Sequence, residues 1–350
     1  MTGLNLLSRS ALVGSFTLIA AAPPAYAHHP ASPGNTSNSG SINTIPAGVL
    51  EKGDIVFGVA VENVEYDALS DEVLAEAVEE AAVGGDPEAH IHSLSRIRTS
   101  ALTAAFGVTD SLTVSARLPH VAKSGIREGH AHEENPGEFH GEAHGLGDSE
   151  GWGDLSVLGQ WRFLSDEASG VELAALFGVE APTGETDLLN AEGELFDAEF
   201  QPGSDSWDTL VGLAASRGAG RWSFDASALY TIAGDGLDAN LGDRLNFGAA
   251  TSYRWIGAPA HHDDGAAPHS HGPVVDLVLE LSGEWQDGQT EHGEHDPNSG
   301  GTVLYLAPGV RYTNDAFSAF ASAGVAAVSE FNGVQAEPEW RLVVGAGYRF

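Results

Sequence analysis

The chain has 350 residues, with 15 Lys and Arg against 50 Asp and Glu, which gives a formal net charge of −35. A chain this acidic lacks the clustered cations that bind nucleic-acid phosphates, and the absence of Cys excludes disulfide scaffolds, thiolate zinc sites and thiol nucleophiles. Apolar residues make up 42% of the sequence and 44 residues are Gly, a composition that favours an ordered, β-rich protein over a disordered or helical one.

The N-terminus has the features of an export signal. Residues 11–22 form an apolar stretch that is too short to span a bilayer, and Ala25 and Ala27 place small residues where a signal peptidase cleaves. We therefore predict a signal peptide at residues 1–27, with a short membrane anchor as the alternative. The segment that follows is rich in Ser, Asn, Gly and Pro, which predicts a flexible leader at residues 28–52.

From residue 53 onward, apolar and polar residues alternate with a period of two. The last segment, for example, places Trp340, Leu342, Val344 and Phe350 on one face. This pattern is typical of the strands of outer-membrane barrels. We predict an all-β fold, a transmembrane antiparallel up-and-down β-barrel over residues 53–350. Its twelve strands are expected near 53–66, 95–106, 111–119, 153–164, 171–180, 207–216, 221–232, 244–255, 274–285, 302–312, 317–328 and 340–350, with weak alternation in the second, sixth and tenth.

The lengths of the connections support the barrel independently of hydrophobicity. Odd-numbered connections are long and even-numbered ones are short, apart from the eighth (256–273), as expected when short turns face the periplasm and long loops face outward. A soluble secreted β-sandwich is the rival fold, but it has no reason to sort its loops in this way. It also has no need for aromatic residues at strand ends, such as Trp161, Tyr253 and Tyr348. The sequence therefore predicts a location in the bacterial outer membrane.

Charged residues in the predicted strands fall on the face opposite the apolar one, because charge facing lipid is costly. We expect thirteen of them to line the lumen: Arg98, Arg117, Arg162, Glu172, Glu180, Asp225, Arg244, Arg254, Asp276, Glu280, Glu284, Arg341 and Arg349. Since both signs occur in comparable number, one interpretation is a salt-bridge network that stiffens the wall. The other is a charged passage for a polar or anionic solute.

The six long connections contain 32 of the 50 acids and only two bases, and all 15 His lie outside the predicted strands. Imidazole and carboxylate groups are ligands for Zn²⁺, Cu²⁺ and Ni²⁺. Twelve His occur at short spacings that would let one loop offer two ligands: His90, His92, His130, His132, His140, His144, His261, His262, His269, His271, His292 and His295. No spacing matches a defined closed site, and two interpretations stay open: weak metal binding, or a mobile, hydrated acidic loop in which His is one more polar residue.

The sequence also predicts one short helix outside the barrel strands. Ser70 is a predicted N-cap for a short helix in the first long connection, with Leu74, Val78 and Ala81 at helical spacing.

We expect no enzymatic activity, because a hydrolase site on a barrel wall needs a strand His near a Ser, and no predicted strand contains His. No cofactor is expected beyond a weakly bound Zn²⁺, Cu²⁺ or Ni²⁺ ion.

Several short strand-turn motifs together resemble a known family. They are Phe106–Pro119 (FGVTDSLTVSARLP), Gly151–Phe163 (GWGDLSVLGQWRF), Pro182-Thr183-Gly184, Phe200–Trp207 (FQPGSDSW), Leu279–Trp285 (LELSGEW) and Ser299–Val310 (SGGTVLYLAPGV). From about Gly53 to Phe350 the chain is similar to the outer-membrane proteins grouped as the phenol-degradation meta-pathway transporter family. The resemblance implies an outer-membrane barrel that transports a solute, and it supplies no catalytic residues. The His-rich segments at 120–144, 261–271 and 292–295 look like local additions.

The sequence as a whole predicts a monomeric barrel that passes or captures a small solute, with acidic, His-rich outer loops that concentrate divalent cations. The alternative is a non-conducting surface protein that binds metal or has a structural role. Expected partners are outer-membrane lipid, lipopolysaccharide bridged through divalent ions, and a small solute or metal ion. Nucleic acid is not expected.

Overall fold

A computed structural model describes residues 40–87, 89–257, 272–314 and 316–350. The predicted signal peptide, the first part of the predicted leader (28–39) and four of the candidate ligands lie outside the described residues. Those ligands are His261, His262, His269 and His271.

The described part of the chain forms eighteen strands, one α-helix and a 3₁₀ turn at Ala198–Phe200. The strands are β1 (Ile55–Asp67), β2 (Ile91–Ser93), β3 (Arg96–Thr109), β4 (Leu112–Asn135), β5 (Glu138–Trp152), β6 (Leu155–Asp166), β7 (Val171–Ala181), β8 (Asp208–Ala219), β9 (Trp222–Ile232), β10 (Asp235–Gly236), β11 (Ala239–Asn240), β12 (Arg244–Ile256), β13 (Val274–Gln286), β14 (Thr290–Glu291), β15 (Glu294–His295), β16 (Gly301–Asn314), β17 (Phe317–Phe331) and β18 (Glu337–Arg349); the helix is α1 (Asp71–Val83).

Twelve of these strands form a closed antiparallel barrel in the order β1, β3, β4, β6, β7, β8, β9, β12, β13, β16, β17, β18. The first and last strands pair with each other, with Phe57 opposite Tyr348 and Val61 opposite Val344. Each of the twelve predicted strands corresponds to one of them. The all-β fold class and the up-and-down barrel are therefore confirmed.

Burial alternates along the barrel strands as the pleat requires. The outward face carries exposed apolar side chains, among them Phe57 (55% exposed), Val59 (52%), Leu213 (62%) and Val325 (58%). In water such a belt would be unfavourable, whereas against lipid tails it is the expected surface of a membrane barrel. The chain is therefore a bacterial outer-membrane protein. No helix in the described part of the chain is long and apolar enough to span a bilayer.

The second long connection, predicted as a loop at 120–152, is instead a β-hairpin, and we call residues 120–152 the outer hairpin. β4 pairs with β6 only through Leu112–Arg117, and from His120 onward it pairs with β5. Five His that were expected in loops therefore lie in its strands: His120, His130, His132, His140 and His144. Elsewhere in the described part of the chain, His92 lies in β2 and His295 in β15. The prediction relied on apolar residues to recognise strands, and the outer hairpin alternates His and Glu with Gly and Ala instead.

Helix α1 forms where the sequence predicts it and packs against the outer hairpin. The Ser70 hydroxyl accepts a hydrogen bond from the Val73 N–H, which caps the first turn, and Leu74 and Val78 are fully buried. A side chain at Gly141 would lie 1.9 Å from the Ala75 carbonyl oxygen, so only Gly permits this approach. At the neighbouring Gly129 the corresponding distance to the helix backbone is 2.9 Å.

Residues 40–50 lie inside the barrel, and we call them the lumen segment. Ile42, Thr44 and Ala47 are completely buried, and Leu50 is nearly so. The predicted flexible leader is therefore wrong for this part of residues 28–52. Its composition predicts disorder in water, but the polar wall of the barrel supplies hydrogen-bond partners that an isolated segment lacks. Gly53 then bonds to Gly107 beside a short turn, so the lumen segment enters from the short-turn end.

The long connections fold together at the other end of the barrel as an outer cap. Its hydrophobic core joins the inner faces of the strand ends to the connection between β7 and β8, through Val64, Tyr66, Leu94, Ile97, Val121, Ile126, Leu146, Phe196, Phe200 and Ala336. Asp154 fixes that connection by accepting hydrogen bonds from the N–H groups of Thr183, Gly184 and Ser204 at 2.7–2.8 Å. Strands β10, β11, β14 and β15 form a separate small sheet among the same connections.

Candidate functional site: the lumen and the outer hairpin

The structure places twelve of the thirteen charged residues expected in the lumen on the inward face of their strands. They are Arg117, Arg162, Glu172, Glu180, Asp225, Arg244, Arg254, Asp276, Glu280, Glu284, Arg341 and Arg349. Arg98 is the exception, because it is exposed on the outward face together with Leu102. The inward position beside it is taken by Ile97, which is buried in the core of the outer cap. The alternation of apolar and polar residues along β3 is weak because its inward side chains face an apolar core at the outer end of the barrel and a polar lumen below that core.

Most of the lumen charges contact a partner of opposite sign. Arg254 and Asp276 form a bidentate pair, with Nε–Oδ1 and Nη2–Oδ2 distances of 2.9 and 3.2 Å. Arg162 Nη1 lies 2.5 Å from Glu172 Oε1 on the neighbouring strand. Such pairs fix the positions of side chains around the wall, as the salt-bridge network interpretation requires.

Four lumen groups that sequence analysis missed complete this arrangement: Glu62, Asp208, Tyr305 and Arg311. Arg341 lies 3.6 Å from Glu62 and 4.3 Å above the ring of Tyr305, and Arg244 lies 3.3 Å from Asp208. Each of the four sits on the polar face of a predicted strand or at its end. The strand assignment could therefore have identified them, had every charged and phenolic side chain on that face been included.

Glu280 is the main attachment point of the lumen segment. Its Oε1 accepts hydrogen bonds from the backbone N–H groups of Ile42 and Thr44 at 2.9 and 3.2 Å. Its Oε2 accepts from the backbone and side-chain N–H groups of Asn43 at 2.9 and 2.6 Å. Bonds to a carboxylate are stronger than neutral ones, and here one side chain satisfies three consecutive backbone donors.

Other wall residues hold the rest of the lumen segment. Ser227, Ser216 and Thr113 accept hydrogen bonds from the backbone N–H groups of Ile45, Ala47 and Leu50 at 2.8–3.0 Å. Gln160 Nε2 donates to the carbonyl oxygens of Pro46 and Gly48, and Arg311 donates to those of Gly40 and Ser41. The segment thus crosses the lumen with its backbone bonded to wall side chains rather than to a strand.

A narrow cavity remains beside the lumen segment. It comprises about 460 Å³ of empty space, including its open side. The lining residues are mostly polar: Asn43, Ile45, Glu62, Ser227, Leu229, Asn246, Phe247, Ser282, Gly283 and Arg341. Two amides, two hydroxyls, a carboxylate and a guanidinium line this space beside the side chains of Ile45, Leu229 and Phe247, so it offers hydrogen-bond partners to water or to a small polar solute.

At the outer end of the barrel, the structure gathers several of the candidate ligands around Glu128. His90 Nδ1 contacts Glu128 Oε1, and His144 Nε2 lies 3.6 Å from Glu128 Oε2. His92 Nδ1 lies 2.7 Å from Glu199 Oε1, and its Nε2 lies 3.3 Å from Asp197 Oδ2.

These contacts shift the ionisation of the cluster strongly. Burial alone would lower the pKa of His92, but Glu199, Glu128 and Asp197 together raise it well above its ordinary value. Burial opposes ionisation of Glu128 too, yet hydrogen bonds from His90 and His92 hold the pKa of its carboxyl well below the usual range. The hydrogen bond with Glu128 raises the pKa of His90.

Farther along the outer hairpin, one atom from each of His130, His132 and Glu142 comes together, and these atoms all lie within 4.8 Å of one another. The ring of His144 is 5.0 Å from that of His130, and the ring of His140 is 5.6 Å from that of His132. Four of the predicted ligands thus form one cluster, while the structure does not bring the exposed His295 or the turn residue His292 into it.

The strands do contain His beside a Ser: His120 lies in β4 and pairs with Ser100 of β3. Its Nδ1 lies 3.9 Å from Glu150, and its ring packs edge-on against Trp152 at 5.0 Å. The premise that no strand contains His is therefore wrong. The absence of enzymatic activity stays a prediction.

Comparisons with known proteins support the fold but not a specific family. No family model and no curated protein matches the chain. The chain is similar to an outer-membrane channel from Pseudomonas putida F1, with a TM-score of 0.51 and 15% identity over 87% of this chain and 98% of that one. The β-domain of the Bordetella autotransporter BrkA gives a TM-score of 0.42, with 11% identity over 85% of this chain and 100% of that one. The mutant monoaromatic hydrocarbon channel TodX deltaS2S3 gives 0.41, with 10% identity over 86% and 91%.

The likeness to the Pseudomonas putida channel agrees with the barrel fold. At 15% identity it indicates a shared fold and no more. The resemblance to the phenol-degradation meta-pathway transporter family therefore stays a prediction, whereas the outer-membrane barrel itself is established.

Proposed function

We propose that this protein is an outer-membrane channel for a small polar solute, with the lumen segment as the element that restricts flow. The observation that carries the proposal is the polar cavity beside the segment, which both Glu62 and Arg341 face. The segment is held by side-chain hydrogen bonds, and these can be released without unpairing any strand. The acidic outer connections would attract cations to the entrance of such a channel.

The test is conductance in planar lipid bilayers. We expect the mature wild-type protein to give small currents, and the Glu280→Gln variant to give larger ones, because the neutral amide loses the charge-assisted bonds and its nitrogen cannot accept from the backbone N–H groups. A variant that lacks residues 28–50 should conduct most. Glu167→Gln is the matched control, because Glu167 is exposed in the short turn between β6 and β7, away from the acidic outer connections, and should leave the current unchanged.

A second candidate function is a non-conducting surface protein that binds metal or has a structural role. The filled lumen and the outer cap favour it. If the wild-type protein, the Glu280→Gln variant and the shortened variant all pass no current, the channel proposal fails and this candidate takes its place.

A further inference from the structure

We propose that His130, His132 and Glu142 on the outer hairpin form a binding site for one divalent transition-metal ion of the Zn²⁺, Cu²⁺ and Ni²⁺ class. The proposed function has the outer connections attract cations, and this site is the specific place at which one cation binds. It does not depend on conductance.

The pairing of β4 with β5 creates the site. Three successive cross-strand pairs on one face are Glu128 with His144, His130 with Glu142, and His132 with His140. Directly opposed side chains have Cβ atoms about 5 Å apart, so this register brings six imidazole and carboxylate groups together. In the described part of the chain, His130, His132 and Glu142 are the one group of three such residues with ligand atoms within 4.8 Å of one another.

The chemistry of the ligands selects the metal class. Two imidazoles and one carboxylate form a set that Zn²⁺ accepts with a fourth position left for water, and imidazole also suits Cu²⁺ and Ni²⁺. Ca²⁺ and Mg²⁺ prefer oxygen ligands and would gain little from His130 and His132. The adjacent rings of His140 and His144 offer alternative nitrogen ligands for the remaining position.

The electrostatic surroundings favour a cation. The two bases of the outer hairpin are both engaged elsewhere: Arg127 pairs with Asp71 of α1, and Lys123 donates to the carbonyl oxygens of Glu199 and Gln201. The ladder of three pairs therefore carries acids and His, with no Lys or Arg among its six members.

The opposite face of the hairpin keeps the ladder in place. Gly129, Ala131, Gly141 and Ala143 alternate with the ligands along the two strands, and they pack against α1. Because these residues are small, the helix backbone approaches the strands directly, which limits twisting of the hairpin. A ligand set on paired strands is ordered before the metal arrives, so less conformational entropy is lost on binding.

The test is isothermal titration of the EDTA-treated mature protein in detergent micelles with ZnCl₂. We expect one saturable site per barrel in the wild type, and loss of that site in the triple variant His130→Gln/His132→Gln/Glu142→Gln. The single variant His132→Gln should weaken binding at least about tenfold. With Cu²⁺, electron paramagnetic resonance should show nitrogen couplings from imidazole that the triple variant loses.

The control variant His292→Gln/His295→Gln removes two His elsewhere in the outer connections and should keep the wild-type affinity. Retained heat-modifiable migration on gels would show that each barrel is folded, and because His132 is exposed its replacement leaves the buried core of the outer cap intact. Three results would overturn the site. They are no saturable Zn²⁺ binding by the wild type, equal Zn²⁺ binding by the triple variant, and displacement of Zn²⁺ by Ca²⁺ at the same concentration. Since no current is measured, failure of the channel proposal would leave this result unaffected.

Discussion

At the scale of single residues, the position of a charge on the barrel matters more than its presence. Arg341 and Arg98 are both strand residues that were expected in the lumen. Arg341 is buried, donates to Ser282 Oγ at 2.5 Å and lies 3.6 Å from buried Glu62, whereas Arg98 is exposed on the outward face. We expect Arg341→Ala to lower the free energy of unfolding by about 3 kcal/mol, because it leaves Glu62 as a buried charge without this partner.

The matched change Arg98→Ala should alter the free energy of unfolding by no more than about 0.5 kcal/mol, as is usual for exposed positions. Urea titrations of both variants folded into lipid vesicles measure the difference. If both substitutions changed the free energy of unfolding equally, the ion pair of Arg341 with Glu62 would contribute no more to stability than an exposed Arg does.

At the scale of elements, the outer hairpin and α1 act as one unit. A Cβ at position 141 would lie 1.9 Å from the carbonyl oxygen of Ala75, so Gly141→Ala must separate the helix from the strands. We expect faster hydrogen exchange of the α1 amides and weaker Zn²⁺ binding, even though every proposed ligand is intact. Gly145→Ala is the control in the same strand, because a Cβ there meets nothing within 4 Å. If both variants exchange alike, the helix does not support the hairpin.

At the scale of the whole molecule, the distribution of charge predicts ion selectivity. The six long connections carry 32 acids and two bases in the sequence, and their described residues lie at the outer end of the barrel. We expect any conducting form to favour cations over anions at low salt, because a field of one sign concentrates counter-ions at the entrance. This preference should decline as KCl rises from about 0.01 M to 1 M, since the Debye length falls from about 30 Å to about 3 Å.

Reversal potentials measured across salt gradients give this preference directly. The variant that lacks residues 28–50 is the suitable protein, because its lumen should conduct most and its outer connections are unchanged. Anion preference at low salt, or cation preference that does not depend on salt, would place the selecting charges in the lumen instead.

The sequence by itself determined the barrel, its twelve strands and the position of α1. Alternation with a period of two and the sorting of loop lengths are local signals, and a membrane wall must obey both because lipid contacts every outward side chain. They also place twelve of the thirteen expected lumen charges on the inward face. Local alternation could not determine the orientation of Arg98, because the interior beside it is the apolar core of the outer cap.

Only the tertiary structure decided the fate of residues 40–50 and of the His-rich segment 120–152. The lumen segment is ordered by Glu280 and other wall residues more than 60 positions away in the chain, so its own composition could only indicate a flexible leader. In the strands of the outer hairpin, candidate ligands alternate with small residues instead of polar residues with apolar ones. Only the packing of α1 against Gly129 and Gly141 explains why this pattern forms strands. In both cases the stabilising partners are distant in sequence, and only folding brings them into contact.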